Sequence, residues 1–450
     1  MKSSFRNQAL CAASLAALGL LLLVRPSSWA QAPTAAVPQA QSSETTSKII
    51  EYSLPPDKLQ KAHALYSTVL KFQIIETLYG FAILLALLHF GVVARFRSLA
   101  ESVSSEKWVQ GLMVFPLFLV TMAVLAIPTE IYQQRVRRAY GLSIQGWGSW
   151  WGDWLKVLLL TVFLETILLS LLYWRVRRSP RRWWFSGWLI GVPIVVFVIF
   201  ISPLVIEPMF FTFTPLDQSN PALTTQIEQV VKRGGLEIPR SRMYSMNASE
   251  KYTGDNAYVS GFGASKRVVV WDTTQKHMTD PEIMFVFGHE MGHYVLHHIV
   301  KGIVATLAGL LLLLYLAYRC SGWMLRRWGA RWKIRDMADF TSVPVLVLLL
   351  SLFSFISSPI QNGFSRYLEH QADTYGLEVT HGLLPDSKMV AASAFQKLGE
   401  NWLDYPYVSD VYEWWAFDHP ATAKRMRYAQ EYDPWREGKP PEFVKDAGGR

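Results

Sequence analysis

Cysteine is nearly missing from this chain of 450 residues, which has only Cys11 and Cys320. If the segment carrying Cys11 is removed, no internal pair remains, so no disulfide framework holds the fold and cysteine usage says nothing about redox compartment. Charge is also scarce: 18% of residues are Asp, Glu, Lys or Arg, against 51% hydrophobic. That balance excludes a disordered or fibrous chain and is low in charge for a water-soluble globule. The net charge is +9. Its arginines flank apolar runs instead of forming a stripe, which reads as membrane orientation and speaks against nucleic acid as a partner.

Apolar runs of about 20 residues, the length of a bilayer span, are what the chain has in abundance. Six stand out: Ile74 to Val93, Trp108 to Ile127, Leu155 to Tyr173, Trp184 to Ile206, Gly302 to Tyr318 and Val343 to Ile360. Trp147, Trp150, Trp151, Trp154, Trp183 and Trp184 cluster at their ends, where rings suit the headgroup layer. Ahead of them, Lys2 and Arg6, the apolar stretch Ala9 to Val24 and the small residues of Ser28-Trp29-Ala30 predict a signal peptide cut after Ala30, followed by a linker over 31–60.

The basic loops holding Arg95, Arg97 and Lys107, then Arg175, Arg177, Arg178, Arg181 and Arg182, then Arg319, Arg326, Arg327, Arg331, Lys333 and Arg335 are expected on the cytoplasmic side. Arg135, Arg137 and Arg138 in the second loop weaken the contrast. The expected order is four spans within 61–206, an extramembrane segment 207–301, two spans within 302–360 and a helical segment 361–450. Both extramembrane parts would then be extracytoplasmic, on the periplasmic side in a bacterium.

Within 207–301, Asn220-Pro221 opens a helix to Lys232 that Gly234-Gly235 stops. Short strands are expected at Arg242 to Ser245, Asn256 to Gly261 and Arg267 to Trp271, the last two joined by a turn at Gly263 to Lys266. Thr279, Pro281 and Glu282 have the pattern of a helix start with a capping box.

That helix carries His289-Glu290-Met291-Gly292-His293. Residues four apart share a helical face, so both imidazoles can meet one metal, with Glu290 beside them near the water to be activated. One Zn2+ per chain is the expected cofactor. Catalytic zinc usually takes a third protein ligand, and downstream Glu369 and Asp373 again stand four apart on one face. Glu369 suits the metal, while Asp373 suits the far nitrogen of a ligating histidine. His297, His298 and His370 are rival donors. His297 lies on the stripe of His289 and His293, yet a third histidine at that spacing reaches the same ion only if the helix bends. It is therefore expected to be structural or to support a ligand. Asn256, Ala257 and Tyr258 begin a strand whose edge suits an extended substrate backbone. An Asp418-His419-Pro420 stretch opens a helix over Ala421 to Tyr428, with Asp418 as its expected cap.

The strings His289 to His298, Glu369 to Asp373 and Asn256 to Gly263 leading to Arg267 to Thr273 resemble the integral-membrane zinc proteases typified by the CAAX prenyl protease type I. The likeness covers about residues 55–435. It implies a mainly α fold, a multi-span helical membrane barrel around a water-filled chamber, with a small α+β extramembrane metalloprotease domain. It also implies that His419 donates to the oxyanion of the tetrahedral intermediate and that Arg425 pairs with a carboxylate of the site. The expected function is a zinc endopeptidase with Glu290 as general base. Expected partners are a peptide or protein substrate, with or without an attached lipid, and membrane lipids. The secretory signal is a departure from eukaryotic relatives of that type, which face the cytosol, and it argues against a prenylated cytosolic substrate. Other readings are a quality-control protease of misfolded envelope proteins, a non-catalytic zinc-containing chamber, and a transporter using Glu76 and Glu165, which lie near or within spans.

Overall fold

The computed structural model describes residues 49–261 and 266–445. The signal segment, most of the linker, Cys11 and the turn residues Gly263, Ala264 and Ser265 lie outside that range. Cys320 is a free, half-buried thiol.

The chain begins with α1 (Pro56–His89), α2 (Val92–Val103), α3 (Lys107–Ala139), α4 (Trp147–Arg178) and α5 (Trp183–Ile201), the last running on through a π-turn and a 3-10 turn to Met209. Next come β1 (Phe213–Pro215), the single turn α6 (Leu216–Ser219), α7 (Pro221–Arg233), β2 (Met243–Met246), β3 (Ala257–Ser260) and β4 (Arg267–Trp271). Then follow α8 (Asp272–His277), α9 (Asp280–Val295), α10 (His298–Trp328), α11 (Val343–Thr380), α12 (Ser387–Trp402), α13 (Asp410–Ala416) and α14 (Thr422–Glu431). Among the described residues, six helical segments are long and apolar enough to cross a membrane: α1, α3, α4, α5 with its continuation, α10 and α11 with the turn before it. Their outward faces carry residues such as Ile75, Leu112, Leu159, Phe197 and Val304.

The helices extend beyond the apolar runs that announce them. The first run was expected to reach Val93, but α1 stops at His89, and Gly91, in the left-handed region at φ 60°, starts α2. A boundary expected at 361 falls inside α11, which continues unbroken from the apolar stretch into the segment bearing Glu369 and Asp373. Pro359 lies between the two halves and removes a backbone donor from the helical ladder there.

Inside the bundle, Leu84 and Leu87 of α1, Phe115 and Phe118 of α3, and Leu169 and Tyr173 of α4 form one apolar cluster with Phe340 and Val343. Glu165 is also buried in α4, and Glu76 of α1 accepts a hydrogen bond from Gln133 at 2.7 Å.

A second core joins one side of the sheet to α7, α9, α12, α14 and the end of α11. Asn220 accepts from the Leu223 amide at 3.0 Å to cap α7, and Gly235, at φ 68°, follows its end. Strand order is β1-β2-β4-β3, with β2 and β4 parallel and the outer pairings antiparallel. The short β1 was not expected from sequence, because three residues carry too little alternation to register. Ahead of α1, residues 50–53 pack on the carboxy-terminal helices: Tyr52 donates to the Asp404 carbonyl at 2.8 Å and Glu51 pairs with Arg427 at 2.8 Å. The start of α1 and the carboxy-terminal helices therefore share one side of the molecule.

Candidate metal centre

Helix α9 begins on its capping box, with the Thr279 amide donating to Glu282 at 2.7 Å. It is buried from Glu282 through His293. Ile283, Phe285, Phe287 and Met291 are almost fully enclosed, each such side chain contributing roughly 1.5–3 kcal/mol through burial. A helix enclosed this way presents its polar residues to a prepared interior site.

That site lies where α9 meets α11. A Cβ on Gly376 would come within 3.0 Å of the His289 backbone nitrogen, and one on Gly292 within 3.0 Å of the Tyr375 Cβ. The two helices touch nearly backbone to backbone. Gly in a helix interior costs about 1 kcal/mol relative to Ala, and here it permits an approach that no larger residue allows.

Across this contact, His289 Nε2 and His293 Nε2 are 3.2 Å apart, Glu369 Oε2 is 3.3 Å from the first and Glu369 Oε1 3.4 Å from the second. All three residues are buried. Donors spaced this way match a tetrahedral ion with bonds of about 2.0–2.1 Å, which separates its ligands by about 3.3 Å. Glu369 Oε2 is buried without a hydrogen bond, as expected of an atom meant for a cation. The donor set of two imidazoles and one carboxylate therefore fits zinc. Glu290 lies beside it, its Oε1 3.8 Å from His289 Nε2.

Asp373 and Arg425 stand behind His289. Asp373 Oδ1 accepts from His289 Nδ1 at 2.8 Å, leaving Nε2 directed at the metal position. Arg425 grips the same carboxylate with Nε at 2.8 Å and Nη2 at 2.5 Å, and its Nη2 also lies 3.4 Å from His289 Nδ1. Burial opposes the Arg425 charge, but the Asp373 carboxylate more than offsets it and holds the guanidinium above its ordinary pKa. Burial likewise opposes a charge on His289, and Asp373 and Glu369 together outweigh it, raising that pKa.

His419 reaches the centre from the loop before α14. Its Nε2 is 3.1 Å from Glu369 Oε2, and its Nδ1 is 3.0 Å from Asp418. Asp418 therefore does not cap α14 as the sequence suggested. The cap position is Ala421, whose amide donates to Glu413 at 3.1 Å, because Asp418 is committed to the imidazole.

The stripe reading of His297 also needs correction. Helix α9 ends at Val295, and His297 is exposed at φ 58° in the left-handed region, where it breaks the helix. His298, treated in the sequence only as a rival donor, is instead buried with its Nδ1 3.0 Å from His293 Nδ1. No periodicity could have found it, since the bend that brings it there is absent from helical spacing. His370, exposed against Tyr428 at 4.3 Å, is not among the converging donors.

Strand β3 forms the end of the sheet and runs beside α9. Ala257 and Val259 face the core shared with α9. Tyr258, expected among the substrate-binding residues, turns to the opposite face and donates to Glu207 at 2.7 Å. Alternation along the strand accounts for this. Asn256 is buried, its amide donating to Thr274 and its carbonyl accepting from Trp271. With that pairing, Tyr258 and Ser260 direct their backbone groups at β4, whereas Ala257 and Val259 direct theirs outward.

Comparison with known proteins agrees with this arrangement. Residues 217–433 match peptidase family M48, and residues 37–212 match the CAAX prenyl protease N-terminal region of five membrane helices. The chain is 32% identical over 345 residues to an uncharacterized metalloprotease, YhfN, of Bacillus subtilis, covering 76% of this chain and 78% of that one. It is 24% identical over 363 residues to the CAAX prenyl protease 1 homolog of Homo sapiens, covering 71% and 73%. The fold superposes on the crystal structure of S. mikatae Ste24p with a TM-score of 0.73 at 20% identity, over 94% of this chain and 98% of the other.

Proposed function

Because this chain belongs to peptidase family M48 and is a multi-pass membrane metalloprotease, we propose that it is an endopeptidase that binds one zinc ion through His289, His293 and Glu369 and cleaves extended peptides. The observation that carries this reading is the convergence of three buried residues, the two imidazole nitrogens 3.2 Å apart and each 3.3–3.4 Å from one oxygen of the Glu369 carboxylate, beside an intact Glu290. When bound, zinc supplies Lewis-acid activation of water and of the scissile carbonyl. Glu290 takes the proton released as water attacks and delivers it to the departing amine. His419, held at Nδ1 by Asp418, donates from Nε2 to the carbonyl oxygen as negative charge builds on it. Asp373 and Arg425 keep His289 in the tautomer and orientation the metal requires.

The outward amide and carbonyl groups of Ala257 and Val259 bind the substrate backbone as an added strand. Pairing through the backbone tolerates many side chains, so discrimination falls to the pockets around it. The expected export signal, together with the packing of residues 50–53 on α12 and α14, supports an extracytoplasmic site. Proteins or peptides presented on that side, with or without a lipid attached, are the proposed substrates. Profiling unfolded envelope proteins against short lipidated peptides separates a quality-control role from a more selective one.

The direct test is cleavage of an extended peptide by the detergent-purified full-length protein. A zinc chelator should abolish it and stoichiometric zinc should restore it. Cleavage that persists with no metal bound overturns the reading. A His419→Phe change is expected to lower kcat by about 10²–10³ with little change in KM, since the donor acts on the developing charge. An equal loss confined to KM would argue that His419 only binds substrate. Val259→Pro removes an outward amide and no ladder bond, so it should leave the sheet intact. It should lower kcat/KM about 3- to 10-fold, the worth of one hydrogen bond. Unchanged kinetics would exclude strand addition at that residue.

A further inference from the structure

The two histidines of the triad are supported differently. Behind His289 stands a charged pair, Asp373 and Arg425. Behind His293 stands a chain of uncharged hydrogen-bonding groups: His298 Nδ1 at 3.0 Å from His293 Nδ1, His298 Nε2 at 3.2 Å from Gln371 Oε1, and Gln371 Nε2 donating to the Tyr367 hydroxyl at 3.0 Å.

Only one proton arrangement satisfies this chain once His293 Nε2 is reserved for the metal. His293 then carries its proton on Nδ1 and donates it to His298 Nδ1. Consequently His298 carries its proton on Nε2 and donates to the Gln371 carbonyl oxygen, and the Gln371 amide donates onward to Tyr367. Every group in the sequence finds a complementary partner, and the direction is the same throughout.

The backbone is bent to make this contact. In an unbroken helix, a residue five places on is turned by about 140° and would leave the His293 face. The left-handed His297 ends α9 and starts α10, folding His298 back onto the ligand. His298 is 3% exposed, so its ring nitrogens would be costly to bury without these two partners.

We propose that His298 is a positioning residue for the metal centre: it fixes the tautomer and ring plane of His293, and Gln371 in turn fixes His298. This rests on the proposed His289–His293–Glu369 triad and adds a supporting group on the side away from Asp373. A ligand histidine usually finds a carboxylate, carbonyl or water at its far nitrogen, and here a neutral imidazole does that work.

The test uses full-length protein in detergent and measures zinc affinity by competition with a chelating dye, together with the visible spectrum of the cobalt-substituted protein. His298→Leu should raise the zinc Kd by about 10- to 100-fold and alter the cobalt spectrum. His298→Asn retains an acceptor near the Nδ1 position and should recover most of both. Gln371→Leu leaves the His293 contact in place and should give a smaller rise in Kd. Wild-type affinity and spectrum in a folded His298→Leu protein would overturn the proposal, as would equal damage from Leu and Asn, which would mean that His298 only fills space. If His298→Leu does not fold, the Gln371→Leu protein decides, and an unchanged Kd and spectrum there count against it. A wild-type protein that binds no zinc overturns the triad and this inference with it, an outcome distinct from a zinc-binding wild type whose variants are unaffected.

Discussion

Glu290→Gln is expected to lower peptide cleavage by about 10²–10⁴-fold while leaving zinc content at one per chain. Glutamine keeps the size and polarity of the side chain and loses only its capacity to take a proton. Glu290 is buried at the triad but is not among the three converging ligand atoms, so the donor set survives the change. The loss should appear in kcat, because the base acts only as the water attacks. Measuring zinc by mass spectrometry beside steady-state cleavage separates the possibilities. If the variant loses its zinc, Glu290 belongs to the ligand set. If it retains both zinc and activity, another group accepts the proton.

Arg425→Met should destabilise the core around the sheet by about 3–5 kcal/mol and weaken zinc binding as well. The guanidinium makes two hydrogen bonds to Asp373, and both side chains are almost wholly buried. Removing it strands the Asp373 charge in the interior, beside His289 and close to Glu369. A double variant, Asp373→Leu with Arg425→Met, should recover part of the stability, because no unpaired charge remains, yet it should not recover zinc affinity. The contrast between thermal midpoint and zinc Kd in the two proteins is the measurement. A single Arg425→Met variant as stable as wild type would mean that water reaches Asp373 and compensates it.

Much of the centre was legible in the sequence because helical spacing encodes it. His289 and His293 on one helix, and Glu369 and Asp373 on another, needed only the rule that residues four apart share a face. Arg425 and His419 could be reached only through a family resemblance, since they come from a loop and a helix whose position no local pattern dictates. His298 escaped because a left-handed residue precedes it, and backbone reversals of that kind leave no periodic trace. Which face Tyr258 takes was not legible, because a strand of four residues gives too few alternations to say which side is which. The crossing of the ligand helices had a readable sign in Gly292 and Gly376, although a glycine pair acquires that meaning only when the two helices are known to meet.

The spans followed from hydropathy, but their true lengths did not. Nothing in apolar composition says that α11 continues as helix past Ile360, where the sequence becomes polar. Its far half is held by contacts with α9, α12 and α14 that were invisible beforehand.

The uninterrupted α11 also has a mechanical consequence. Its catalytic end is clamped to α9 at Gly376, where no side chain separates the two backbones, so those helices must travel together. Its other end is packed inside the helical bundle, where Val343, Val345, Leu346 and Leu350 are buried among the neighbouring apolar helices. The weakened ladder at Pro359 is where the rod can flex, so a movement of the bundle is taken up there before it reaches Glu369. The bundle can thus shift by a small amount against the carboxy-terminal helices while His289, His293 and Glu369 keep their spacing.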